Sequence, residues 1–110
     1  MNKQQTKRIN RLLPNGKPRY IRCYDNLGET LDRYTVVYTG RYTHKTAGEF
    51  WDVCMNANPF HGIGIHGYSD HLIDRPTYSH LGKRIDFKDL PADCQELVLT
   101  DYKYLWDLDL

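Results

Sequence analysis

No stretch of this 110-residue sequence approaches the ~20 consecutive apolar residues that a membrane-spanning helix needs. The opening segment MNKQQTKRINRLLPNGK has charges but no apolar core behind them, so no secretory signal is expected and the chain reads as cytoplasmic. Cysteine is scarce: Cys23, Cys54 and Cys94 are odd in number, far apart, and without the paired spacing of zinc or redox motifs. That argues against a disulfide scaffold and for buried, reduced thiols. Internal repeats and linkers are also missing, so the expected organisation is one domain over residues 19–110 behind an arm at 1–18.

Acid is absent from the first 22 residues, which hold Lys3, Lys7, Arg8, Arg11, Lys17, Arg19 and Arg22. The rest has eight basic and fourteen acidic residues, so a segment of charge +7 precedes a body of charge −6. A basic arm on an acidic body suggests a polyanionic partner, or else a solvated tail. Ile9, Leu12 and Leu13 have helical spacing, but the face is thin and Pro14-Asn15-Gly16 ends it. A short helix or an arm is expected, removable up to residue 17 without loss of the fold.

Arg19 to Tyr24 alternates as a strand, Asp25 to Thr30 has turn chemistry, and Leu31 to Thr39 reads as the return strand of a hairpin. Glu49 to Met55 makes a third strand around Phe50, Trp51 and Val53. From Asn56 to Gly82 the chain is rich in Gly, Pro, His, Asp and Ser, and is expected to be a long loop. Lys83 to Phe87 adds a short strand. Asp89 as N-cap and Pro91 in the first turn then open a helix, whose stripe of Cys94, Leu97, Val98, Tyr102 and Leu105 should lie across the sheet. The fold class is α+β: an antiparallel meander of three to four strands packed by one C-terminal helix.

Three strings, YDNLGETLDRYTVVYTG at 24–40, NPFHGIGIHG at 58–67 and HLGKRIDFKDLPADCQELV at 80–98, resemble a group of small uncharacterised proteins carried by bacteriophages and other mobile elements. The resemblance implies a protein that binds and blocks a host component, including CRISPR effectors or other defence systems. It brings no catalytic residue with it.

Gly62, Gly64 and Gly67 match G-x-G-x-x-G, but Tyr68 to Pro76 is too short before its proline for the crossover helix of a dinucleotide site. A glycine loop whose amides face an anion or a partner fits better. His61, His66 and His71 recur every five residues beside Asp70 and Asp74, and are candidate ligands for zinc or another transition metal. Cys54 with His61 is a candidate nucleophile and base without a family signature. Asp25, Glu29 and Asp32 read as turn formers. Arg19, Tyr20, Arg22, Tyr24, Arg33, Tyr34, Tyr38, Arg41 and Tyr42 interleave cations with rings, a pattern suited to phosphates and unpaired bases, although alternation sends half of the rings into the core.

Three functions follow. The first is a non-enzymatic binding protein that inhibits a host protein or protein–nucleic-acid complex, through Asn58, Phe60, His61, Gly62, Gly64 and His66 with Arg33, Tyr34, Arg41 and Tyr42. The second is a nucleic-acid-binding module using Lys7, Arg8, Arg11, Lys17, Arg19 and Arg22. The third is a metal-dependent hydrolase of nucleic acid or nucleotides, which would need the histidine loop; otherwise no cofactor is expected.

Overall fold

Short runs of β-branched and aromatic residues, separated by turn chemistry, set up the sheet. The computed structural model describes residues 2–39, 49–62, 64, 66–72 and 81–108. These form, in chain order, α1 (Lys3–Leu12), β1 (Ile21–Asp25), β2 (Tyr34–Tyr38), β3 (Glu49–Met55), β4 (His66–Leu72), β5 (Lys83–Ile85) and α2 (Ala92–Leu105). The strands pair antiparallel in the order β4-β3-β2-β1-β5. The α+β class, the meander and the C-terminal helix packed on it agree with the sequence reading, and β3 has the expected bounds.

Alternation decides what the sheet buries. Cys23, Tyr34, Val36, Tyr38, Val53 and Met55 form one core cluster with Cys94, Leu97, Val98, Tyr102 and Leu105, the five residues of the expected helical stripe. On the other face Tyr24, Thr35, Val37 and Asp52 are also buried. Asp89 does not cap α2. It closes a 3-10 turn (Phe87–Asp89) in which its carboxylate accepts from the Asp86 amide at 3.1 Å, and Pro91 stands directly before the helix.

One element differs from the sequence expectation, while the short helix expected at the N-terminus is present as α1 and packs on the core. Seven residues of the expected long loop form a strand: β4 pairs along all of β3, from Glu49 opposite Leu72 to Met55 opposite His66. The segment HGYSDHL has weak strand propensity, and the exposed edge of β3 supplies the missing preference as a template. The arm is also built into the fold. A capping box starts α1, with the Gln5 amide donating to Asn2 Oδ1 at 2.8 Å and the Asn2 amide to Gln5 Oε1 at 2.9 Å. At its other end Leu12 and Leu13 are buried in the same core cluster as α2. No helix of the described residues is long and apolar enough to cross a membrane.

The buried Tyr102 hydroxyl fastens this packing. It donates to the Leu12 carbonyl and accepts from the Arg19 amide at 3.2 Å and the Tyr20 amide at 3.4 Å. Nearby, the Arg8 guanidinium donates to the carbonyls of Trp106 and Asp107, the latter at 3.2 Å, so a cation sits where the helix dipole of α2 is negative. Burial pushes the Tyr102 phenol up, which keeps it protonated as a donor at neutral pH. Tyr102→Phe is expected to cost about 1 to 3 kcal/mol, because the Tyr20 amide loses the hydroxyl while the Arg19 amide and the Leu12 carbonyl keep only their mutual bond at 3.3 Å. Urea unfolding measures it, and the same experiment on a chain starting at residue 18 should show a larger loss through Leu12 and Leu13.

Candidate partner-binding site

The register brings two connections to one end of the sheet. Asp25 pairs with Tyr34 and Lys83, Tyr34 with Met55, and Met55 with His66. The hairpin loop 26–33 and the connection that follows Met55 therefore leave the sheet side by side, their midlines about two strand spacings or 10 Å apart.

The hairpin loop is ordered by its own polar groups. Asp25 Oδ1 accepts from the Leu27 amide at 2.8 Å and from Arg33 Nε at 2.7 Å, while Arg33 Nη2 donates to Asp25 Oδ2 at 3.0 Å. Asn26 Oδ1 accepts from the Gly28 amide at 3.0 Å, Asn26 Nδ2 donates to Thr30 Oγ1 at 2.7 Å, and Thr30 Oγ1 donates to Asp32 Oδ1 at 2.6 Å. Gly82 packs against the base of this loop so closely that a Cβ there would lie 2.4 Å from the Asp25 carbonyl oxygen. The network holds Leu27 at φ +62°, a left-handed conformation in which glycine or asparagine is far more comfortable.

The second loop is pinned by backbone. The His61 amide donates to the Asn58 carbonyl at 3.1 Å and the Gly64 amide to the His61 carbonyl at 2.7 Å, closing two successive turns. A Cβ at Gly64 would lie 2.2 Å from the Asn58 carbonyl oxygen, so this fold of the loop needs glycine there. Pro59 is buried, and the Cys94 thiol of α2 donates to the Asn56 carbonyl at 3.2 Å. The turn thus stands on the core and turns Phe60, His61 and Gly62 outward, all of them exposed.

Four large hydrophobic residues are exposed among the described residues, and three of them stand on these two loops: Leu27 at 68%, Leu31 at 81% and Phe60 at 54%. Scattered exposed leucines are ordinary; here two stand on a loop ordered by polar contacts, beside a second loop that carries an outward phenylalanine. The sequence reading singled out Asn58, Phe60, His61, Gly62 and Gly64 on the second loop, and not Leu27 and Leu31 on the first. The available signal was apolar side chains within a turn whose other residues are polar.

Other candidate residues are placed elsewhere. Arg33 is tied to Asp25 and lies over the Tyr34 ring at 5.2 Å, and Tyr34 is buried, so both belong to the base of the hairpin. Arg41 and Tyr42 lie outside the described residues. Gly67 lies in β4, so Gly62 and Gly64 lead into a strand rather than the helix a dinucleotide site requires. His61 is on the loop, whereas His66 and His71 lie in β4. Among the described residues no group of three His, Cys, Asp or Glu lies close enough to hold a metal ion.

The cysteines stay as thiols. Burial pushes Cys23 up to about 12 and Cys94 up to about 11, and raises Cys54 against the opposing effect of the Thr35 hydroxyl 3.5 Å away. A thiol so raised is a poor nucleophile at neutral pH. An open depression of about 630 Å³ beside β5 is lined by Lys83, Arg84, Ile85, Asp86 and Asp89, with one apolar side chain where small-molecule pockets have many.

The Arg33 guanidinium, aided by the Leu27 amide and opposed by burial, holds the Asp25 carboxyl below the usual carboxylate value. A depressed value favours folding above the unfolded-state pKa of about 3.9, and the benefit fades as pH falls below it. Asp25→Asn should therefore be less stable than the parent at pH 7, and the difference should shrink as pH is lowered through the range below about 4. Paired thermal melts at both acidities check this. No protein family, curated protein or solved structure matches the chain.

Proposed function

We propose that this chain is a non-enzymatic binding protein that inhibits a host factor, such as a defence nuclease, by covering it with the loop end of its sheet. The observation that carries the reading is Leu27: an exposed leucine at φ +62° stabilises neither the core nor its own turn. Backbone outliers of this kind persist where the surroundings over-determine them, and they cluster at functional sites. With Leu31 and Phe60 it offers apolar anchors for pockets on a folded protein, and anchors at the centre of an interface carry most of its binding energy.

Support for a binding role over catalysis comes from the protonated thiols and the rigid loops. The likeness of residues 24–40, 58–67 and 80–98 to small phage proteins favours a host target. Asn58, His61, Gly62 and Gly64 act as the frame and polar rim around Phe60.

Affinity purification from a bacterial host, with and without nuclease treatment, tests the proposal. A protein should co-purify under both conditions, and Phe60→Ser should recover at least tenfold less of it, a loss of about 1.4 kcal/mol, with an unchanged melting temperature. Recovery of nucleic acid alone, or undiminished capture by Phe60→Ser, contradicts it.

A further inference from the structure

The opposite end of the molecule has a different chemistry. α2 runs from Cys94, beside the loop after Met55, to Tyr102, beside the Arg19 and Tyr20 amides and the end of α1. Those two contacts are about 12 Å apart along the helix axis. α1 and the segment leading into β1 therefore lie at the end of α2 away from the apolar loops.

α1 is charged against its own stability. Its first turn contains Lys3 and no acid, although the positive end of the helix dipole favours acid there. Lys3, Lys7 and Arg11 follow at i, i+4 and i+8 along one exposed face, an arrangement in which like charges repel. Arg8 is different: it is half-buried and bonded to the end of α2.

We infer that Lys3, Lys7 and Arg11 form a phosphate-binding ridge for the backbone of double-stranded nucleic acid, a second site independent of the apolar loops. The cations are spaced about 6 Å along the helix axis, and with Lys17 and Arg19, both exposed, they extend the positive surface toward β1. Recognition of single strands would need rings for stacking. Tyr24, Tyr34 and Tyr38 are buried, and Tyr20 packs on Trp106 with centroids 5.5 Å apart, so the rings once interleaved with arginine in sequence are engaged in the fold. An anionic membrane is disfavoured because Ile9, Leu12 and Leu13, the apolar side of α1, pack on the core. Contact is thus to phosphate, without base readout. A partner holding both a protein surface and a duplex would meet both ends of this chain.

Titration of the full chain with a labelled 20-base-pair DNA duplex, the same strand unpaired, a duplex RNA, and phosphatidylserine vesicles tests the site. Three phosphate contacts give a salt slope near −2.7, so duplex affinity should fall about 40-fold between 50 and 200 mM salt. Duplexes of different sequence should bind alike. Lys3→Gln/Lys7→Gln/Arg11→Gln should remove that slope and leave the melting temperature equal or higher. Arg8→Ala should do the reverse, lowering the melting temperature while the slope stays. Leu27→Gly with Phe60→Ser should leave duplex binding unchanged, which separates this site from the partner surface. The inference is overturned if the triple variant binds duplex as the parent does, if the unpaired strand binds tenfold tighter than the duplex, or if vesicles bind as tightly as DNA.

Discussion

The end of α1, the segment leading into β1 and the distant Tyr102 meet at one oxygen. The Tyr102 hydroxyl, buried on the inner side of α2, takes the last carbonyl of α1 and the two amides that lead into β1. Those backbone groups lie at element boundaries, where the Arg19 amide and the Leu12 carbonyl also bond each other at 3.3 Å and the hydroxyl draws in the Tyr20 amide. A basic N-terminal segment with only Ile9, Leu12 and Leu13 to bury could not hold a helix by apolar contact alone. The hydroxyl supplies the missing fixed point, and Arg8 on the end of α2 adds a second.

That attachment gives the molecule its polarity. With α1 tied to the C-terminal half of α2, the positive charge gathers at one end, while the register of β1, β2 and β3 sends the two apolar loops to the other. The core between them takes Leu12 and Leu13 from the basic end, whereas Leu27, Leu31 and Phe60 at the other end stand outside it. Asp25 holds the hairpin loop from the sheet side through Arg33 and the Leu27 amide. Gly64 and the Cys94 thiol hold the second loop from below. Exposed apolar side chains on loops this constrained lose little freedom on binding, which separates a contact surface from a floppy apolar tip.

The legible parts of the fold were those with strong periodicity. Cys94, Leu97, Val98, Tyr102 and Leu105 announced a buried helical stripe, and the β-branched run at Tyr34 to Tyr38 announced a central strand. β4 was illegible because Gly67, Ser69 and Asp70 are poor strand formers and only the open edge of β3 makes the segment extended. The place of α1 was illegible for a related reason: Tyr102 and the end of α2, 90 to 99 residues away from the groups they meet, anchor it through hydrogen bonds that leave no local trace. At the site, Phe60 and His61 stood out by residue type. Leu27 did not, because positive φ at a leucine is a tertiary outcome of the Asp25 network. The arginine and tyrosine pattern misled in the opposite direction, since most of its rings are core residues.

On the proposed reading the exposed side chains of Leu27, Leu31 and Phe60 serve contact and contribute little to folding. Equilibrium urea unfolding of Leu27→Gly/Leu31→Asn/Phe60→Ser tests it without any partner. Relief of the left-handed leucine and removal of exposed apolar surface should leave stability within about 1 kcal/mol of the parent, on the favourable side if either. A loss above about 2 kcal/mol, the range of buried side chains, would mean that these residues pack within the fold and would contradict the account.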